Sequence, residues 1–238
     1  MVRIFCDFDG TVCPQDVGKN YFRAFADETF QQIADGLLRG EIDSQQGLRR
    51  LCDAVPSISR IQFDSHIDQF SADPHFAEFV HFAEARGAAV AVLSDGLDAY
   101  VARVLLKEGL QRVPVFANHA EFVNINGAPK LTVSFPHTDA ECTSCGNCKR
   151  NHMLTQAADN DVIVYVGDGF SDRCPVKYAD IVFAKRQLIK HCQQLNITYY
   201  EFNHFGDVQK KMEEVVQRKR IRHRQEAAMA RREVYMQG

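Results

Sequence analysis

The stretch "DFDGT", residues 7–11, ends the apolar run that begins "MVRIF" at residue 1. A short apolar run of this kind reads as a buried strand, and packing alone gives no reason for such a strand to finish in two carboxylates. Side chains at i and i+2 of an extended segment point the same way, so Asp7 and Asp9 are expected to face one pocket as the chain leaves the sheet. Asp-Gly also serves ordinary turns. The weight of the reading therefore rests on whether other strands end alike.

Two of them do. "AAVAVLSDG" (88–96) and "DVIVYVGDGFSD" (161–172) are apolar runs that stop abruptly in polar, glycine-containing turns. "VPVFA" (113–117) and "ADIVFA" (179–184) read as further strands, and "EFVNINGAPKLTV" (121–133) as a hairpin turning near Asn126-Gly127. Helical stretches separate these strands, which implies a parallel, helix-covered sheet. Ligands of such sheets collect at the carboxyl ends of the strands. Asp7, Asp9, Ser94, Asp95, Asp168 and Asp172 should thus converge on one site.

Between the first and second strands the texture changes. From about Asp16 to Ser71, pieces such as "YFRAF", "FQQIADGLL", "QQGLRRLCDAV" and "IQFDSHIDQF" space apolar residues three and four apart, with no convincing strand among them. This reads as a small helical insert. Asp73-Pro74 then signals the start of the next helix, which closes at Gly87.

Composition excludes several classes of function. With 238 residues, 45% hydrophobic and 25% charged, the chain can bury a substantial core, and its formal net charge of -3 argues against coating nucleic acid or an anionic membrane. No apolar stretch approaches the ~18 residues of a spanning helix and no secretory signal is visible, so a cytoplasmic location is expected. The eight cysteines are accordingly read as thiols.

Two carboxylates brought close repel, and a divalent cation that Asp168 helps to hold would relieve them. Oxygen-only ligands suit Mg2+, which keeps positions for water and for substrate phosphate. Ser94, the amides after it and a lysine from elsewhere would supply donors to phosphate oxygens.

At this point the residues match a pattern. "DFDGT" resembles the first motif of the haloacid dehalogenase superfamily, Ser94 its second, Lys149 its third and "GDGFSD" (167–172) its fourth, in that order, over roughly residues 1–205. The resemblance implies an α/β, Rossmann-like doubly wound parallel sheet: core at 1–13 and 75–205, helical cap at 14–74, and a basic C-terminal helix at 206–238. It also implies a phosphatase in which Asp7 is the nucleophile and Asp9 the acid and base. Asp7, the backbone carbonyl of Asp9 and Asp168 would bind Mg2+, with Asp172 behind them. Ser94, Asp95 and Lys149 would bind the phosphate.

The insert resembles the cap of the phosphoserine phosphatase-like subgroup, whose members suggest three small phosphorylated metabolites. "FPHTDAEC" (135–142) with "CGNCK" (145–149) resembles the methionine-salvage enzymes that act on 2-hydroxy-3-keto-5-methylthiopentenyl-1-phosphate. "GDGFSDRCP" resembles the phosphoethanolamine/phosphocholine phosphatases, whereas Asp16 and Arg49 fall where phosphoserine phosphatases hold the substrate's amino and carboxylate groups. The salvage texture is the longest.

Two features admit a different class of function. Cys142, Cys145 and Cys148 at CxxCxxC spacing could hold zinc with His137 or His152, but without a second pair the expected role is a loop that positions Lys149. The basic tail "KKMEEVVQRKRIRHRQEAAMARREVYMQG" (210–238) lacks the interleaved aromatics of a nucleic-acid binder. A solvated helix, or one packed on a second copy as a homodimer contact, is expected there, with neither nucleic acid nor membrane as partner.

Overall fold

In the computed structural model, which describes residues 1–139, 144–217 and 221–237, the opening strand β1 (Val2–Asp7) lies at the centre of the sheet. The insert follows as α1 (Val17–Phe25), α2 (Phe30–Arg39), α3 (Ser44–Asp53) and α4 (Arg60–Ile67). Then come α5 (Phe76–Glu84), β2 (Ala89–Leu97), α6 (Asp98–Lys107), β3 (Val115–Ile125) and β4 (Ala128–Ser134). The second half runs through α7 (Lys149–Gln156), β5 (Val162–Gly167), β6 (Ile181–Ala184), α8 (Gln187–Gln194), β7 (Tyr200–Glu201), α9 (Phe205–Val216) and α10 (Gln225–Gln237).

Among the described residues the seven strands are ordered β4-β3-β2-β1-β5-β6-β7, and every pairing except the β3–β4 hairpin is parallel. The chain winds outward from β1 through β2 and β3, then restarts at β5 on the other side of β1. This makes the β1/β5 boundary the topological switch point, where such sheets open a crevice for ligands.

Burial on both faces explains the unbroken apolar strands. Ile4, Val92, Val164 and Phe183 pack in one apolar cluster, while their neighbours Phe5, Ala91, Ile163 and Val182 pack in another. Alternate side chains of each strand thus face opposite layers of helices. The hairpin turns where expected, with Asn126 at φ 53° and Gly127 at φ 83°. Two consecutive left-handed residues match the twist of the flanking strands.

The insert helices carry their own start signals: Asp16 accepts the Lys19 amide at 2.8 Å, Asp43 the Gln46 amide at 2.7 Å, and Ser59 and Gln62 form a capping box. At α5 the expected boundary moves. Asp73 Oδ1 accepts the His75 amide at 2.9 Å and the helix begins only at Phe76, because a turn over 74–75 intervenes.

The C-terminal segment differs from the expected solvated helix. Residues 221–237 return to the core, where the buried Asp180 carboxylate accepts the Arg224 amide and Arg231 Nη2, both at 3.1 Å, and pairs with His223 Nδ1 at 3.2 Å. Tyr235 Oη donates to the Leu154 carbonyl at 2.9 Å. Here the arginines find a buried anion and backbone carbonyls in their own chain. No described helix is long and apolar enough to cross a membrane.

Candidate functional site

β1 stops at Asp7, which is 4% exposed, and the next residues fold into a tight loop in which Gly10 takes φ 83°. Asp7 Oδ1 accepts Lys149 Nζ at 2.5 Å. That lysine opens α7 with its whole side chain buried, and it also donates to Asp172 Oδ1 at 2.8 Å and Ser171 Oγ at 3.0 Å. Asp172 in turn accepts Tyr165 Oη at 2.6 Å and the amides of Asp168 and Gly169 at 2.9 Å each. One carboxylate oxygen each of Asp7, Asp168 and Asp172 lies within 4.8 Å of the other two. Among the described residues this trio is the group of acidic, histidine or cysteine side chains close enough to share an ion.

Burial pushes the Asp7 carboxyl up, the charges of Asp172 and Asp168 add to the effect, and the Lys149 ammonium opposes it. For Lys149, burial alone would favour the neutral amine, but Asp172 and Asp7 outweigh it and hold the ammonium charged. Asp168 is pushed up by burial and by Asp172, while Arg186 Nη1 reaches its Oδ2 at 2.9 Å. Three crowded carboxylates offering only oxygen donors suit a hard cation such as Mg2+.

The Asp9 carboxylate is aimed by contacts outside the strand rather than by strand geometry. It turns toward the insert, accepting the Val17 amide at 2.7 Å, the Gly18 amide at 3.3 Å and Tyr100 Oη at 2.7 Å. Asp9 therefore adds no carboxylate to the acidic trio. Burial chiefly, with Asp16 nearby, pushes its carboxyl up to about 7, and the bonds from Tyr100, Gly18 and Val17 restrain it. A carboxyl poised there can give and take a proton near neutrality. A Cβ at Gly96 would overlap the Tyr100 hydroxyl that reaches Asp9, so only glycine leaves that hydroxyl in place.

Ser94 is buried at the end of β2, its Oγ accepting the Gly96 amide at 3.0 Å. Asp95, whose backbone amide is the expected phosphate donor, has its carboxylate engaged within the protein: Oδ1 accepts the Gly146 and Asn147 amides at 2.9 Å each, and Oδ2 accepts Ser44 Oγ at 2.5 Å. The backbone amide is separate from these side-chain bonds. Burial pushes the Asp95 carboxyl up, and these donors offset part of the effect. Asp16 is exposed and caps α1, while Arg49 is exposed and lies over the Phe135 ring at 4.9 Å.

Several residues of the site carry no sequence signal of their own. Tyr100 and Tyr165 read as core, Ser44 as a helix start, and Arg186 as surface. Asn147 had one available cue, its place two residues before Lys149. Its Nδ2 donates to the Ser94 and Phe116 carbonyls at 2.8 Å each, and its Oδ1 contacts His152 Nε2 at 2.7 Å. Of the cysteine run, Cys142 lies outside the described residues. Cys148 is buried, with its amide donating to the His137 carbonyl at 2.8 Å.

Haloacid dehalogenase-like hydrolases match residues 4–174, a span that holds all three strand-end signatures and Lys149. The chain belongs to that family. This hydrolase is 32% identical over 211 residues to the 2-hydroxy-3-keto-5-methylthiopentenyl-1-phosphate phosphatase of Exiguobacterium sibiricum, covering 87% of this chain and 94% of that one. It is 29% identical over 223 residues to the enzyme of the same name from Bacillus thuringiensis subsp. konkukian, covering 91% and 98%. Among solved structures, a phospho-aspartyl intermediate analogue of phosphoserine phosphatase superposes with a TM-score of 0.63 at 19% identity, covering 88% of this chain and 98% of that one. A probable phosphoserine phosphatase from Vibrio cholerae gives 0.69 at 21%, covering 98% and 66%. At those identities the structures share the fold of this hydrolase, and its substrate is a separate question.

Proposed function

We propose that this hydrolase cleaves a small phosphate monoester, best read as 2-hydroxy-3-keto-5-methylthiopentenyl-1-phosphate, by passing the phosphoryl group through Asp7. The observation that carries the chemistry is the division of labour within "DFDGT". Asp7 stands beside a buried ammonium and two further carboxylates, while Asp9 stands apart from them on a tyrosine hydroxyl.

In the first step an Asp7 carboxylate oxygen bonds to phosphorus, the ester P–O bond breaks, and the Asp9 carboxyl protonates the departing oxygen. In the second, Asp9 takes a proton from water, the water oxygen bonds to phosphorus, and the Asp7–phosphorus bond breaks to release inorganic phosphate. Lys149 and the groups around Ser94 balance charge on the transferring oxygens. Asp7, Asp168 and the Asp9 backbone carbonyl would hold Mg2+, with Asp172 adjacent. Bound there, the cation supplies positive charge against both the carboxylates and the phosphate.

The choice of ester rests on the names of the relatives at about 30% identity and on Arg49. Its guanidinium stacks on Phe135, an arrangement that suits a leaving group without a carboxylate. A phosphoserine enzyme would need that guanidinium as a clamp. The deciding experiment measures kcat/KM for the salvage ester, phosphoserine and phosphocholine on one preparation, with Mg2+ and with chelator. A preference of ~10-fold or more for the salvage ester, lost with chelator, is expected. A ~100-fold preference for phosphoserine overturns the substrate while keeping the phosphatase chemistry.

A further inference from the structure

Asp95 sits where three parts of the molecule meet. It belongs to the carboxyl end of β2, one residue after Ser94. Its Oδ1 accepts the amides of Gly146 and Asn147, in the loop that delivers Lys149, and its Oδ2 accepts Ser44 Oγ from the first turn of α3 in the insert. Two further bonds join the same faces: the Ser44 amide donates to the Ser144 carbonyl at 3.3 Å, and Gln45 Nε2 to the Cys145 carbonyl at 3.3 Å. Asn118 Nδ2 donates to the Asp95 carbonyl at 2.7 Å and steadies the β2 end from β3.

On the lysine side there is little slack. A single residue, Cys148, separates the Asp95-bound amide of Asn147 from Lys149, and the Asn147 side chain is itself fixed to the Ser94 and Phe116 carbonyls. Lys149 then reaches Asp7, both side chains being buried. Displacing residues 146–147 displaces the start of α7, and with it the ammonium.

We infer that Asp95 is a positioning residue that clasps the insert to the lysine-bearing loop, so that Lys149 is held in register against Asp7 when α3 is seated on the core. The inference rests on the proposed role of Asp7 and Lys149 as the phosphoryl-transfer pair. It needs the shape of the Asp95 side chain and not its charge. An asparagine can accept both loop amides through Oδ1 and donate through Nδ2 to the Ser44 oxygen, whereas an alanine leaves two amides and a hydroxyl without their acceptor.

The test compares Asp95→Ala, Asp95→Asn, Ser44→Ala and the Asp95→Ala/Ser44→Ala double variant. Their kcat is measured on p-nitrophenyl phosphate, and amide hydrogen exchange is followed by mass spectrometry over residues 144–149. Misplacing the lysine should lower kcat about 10- to 100-fold in Asp95→Ala, with Asp95→Asn restoring most of the loss. Exchange over 144–149 should quicken in Asp95→Ala and stay slow in Asp95→Asn. Adding Ser44→Ala to Asp95→Ala should change kcat by less than about twofold, because the two act through one contact. Equal losses in Asp95→Asn and Asp95→Ala would overturn the clasp in favour of a charge effect. So would unchanged exchange over 144–149 in a folded Asp95→Ala protein. If Asp95→Ala does not fold, Asp95→Asn and Ser44→Ala decide: slow exchange in the first and faster exchange in the second support the clasp, and any other pairing overturns it. The exchange measurements need no substrate, so the clasp is judged separately from the proposed reaction, which fails if the wild-type protein turns over no ester or if Asp7→Asn keeps its activity.

Discussion

The floor of the site and the insert above it are built on opposite plans. On the floor, Asp7, Lys149, Asp172 and Tyr165 are all buried, and each charge meets a partner at 3 Å or less. In the insert the charges are peripheral: Arg39 pairs with Glu41 and Arg60 with Asp64 at the surface, and Asp16 spends its carboxylate on a helix cap. Buried pairs of this kind are costly to break, while exposed ones contribute little. The contrast separates two tasks. Chemistry that must place charge on a phosphoryl group needs its geometry set before the substrate arrives, whereas the side that receives the leaving group can keep its surfaces adaptable.

The largest effect should come from the floor. Asp7→Asn removes the attacking carboxylate oxygen, and turnover should fall by at least ~10⁴-fold while the protein stays folded. Steady-state assay beside a thermal melt checks both halves, and residual activity near the wild-type level would break the assignment of the nucleophile.

Next comes stability. Lys149→Met leaves Asp7 and Asp172 crowded and without their ammonium, and denaturant unfolding should show a loss of about 3–5 kcal/mol. Arg39→Ala, at an exposed pair in the insert, should leave the unfolding midpoint unmoved. Similar shifts in the two variants would dissolve the contrast between floor and insert.

Tyr100→Phe probes the boundary between them. The phenol donates to Asp9 and restrains a carboxyl already pushed up to about 7 by burial. Removing a donor to the charged form favours the neutral form, so the Asp9 pKa must rise further. The limb of the pH–rate profile that reports Asp9 should move to higher pH by roughly 0.5–1 unit. A shift to lower pH would mean that another group governs that limb.

The smallest effect is expected in the insert. Arg49→Ala removes a stack on Phe135, so KM for the salvage ester should change by no more than about twofold. A tenfold rise measured with phosphoserine would turn the insert into a carboxylate receptor.

The carboxylates of the floor were legible in the sequence because they stand at or just beyond the ends of apolar strands, whereas Lys149 was placed by motif order alone. A strand between two others has its carboxyl end fixed, and the side chains there face the switch-point crevice. Asp7, Ser94, Asp168 and Asp172 could be placed by that rule, and the Asn126-Gly127 hairpin by its turn chemistry. The orientations of Asp9 and Asp95 could not, since each carboxylate is aimed by partners distant in sequence: Tyr100 for one, Ser44 and Gly146 for the other. The C-terminal helix was unreadable for the same reason. Its basic residues look solvated until the buried Asp180, 44 residues before Arg224 and 51 before Arg231, is seen to accept them.

Gly96 and Tyr100 carry a consequence for how this site can change. The tyrosine hydroxyl fills the place a Cβ at Gly96 would take, and that hydroxyl is one of the three donors that hold Asp9. A larger residue at 96 therefore collides unless position 100 has first lost its ring. Losing the ring first costs Asp9 one of its three donors and leaves it the Val17 and Gly18 amides. The two positions are thus coupled in sequence space, because a larger residue at 96 is admitted only after the ring at 100 is lost. A library that varies residue 96 alone should return glycine, while one that varies 96 and 100 together can reach new ways of holding the carboxyl.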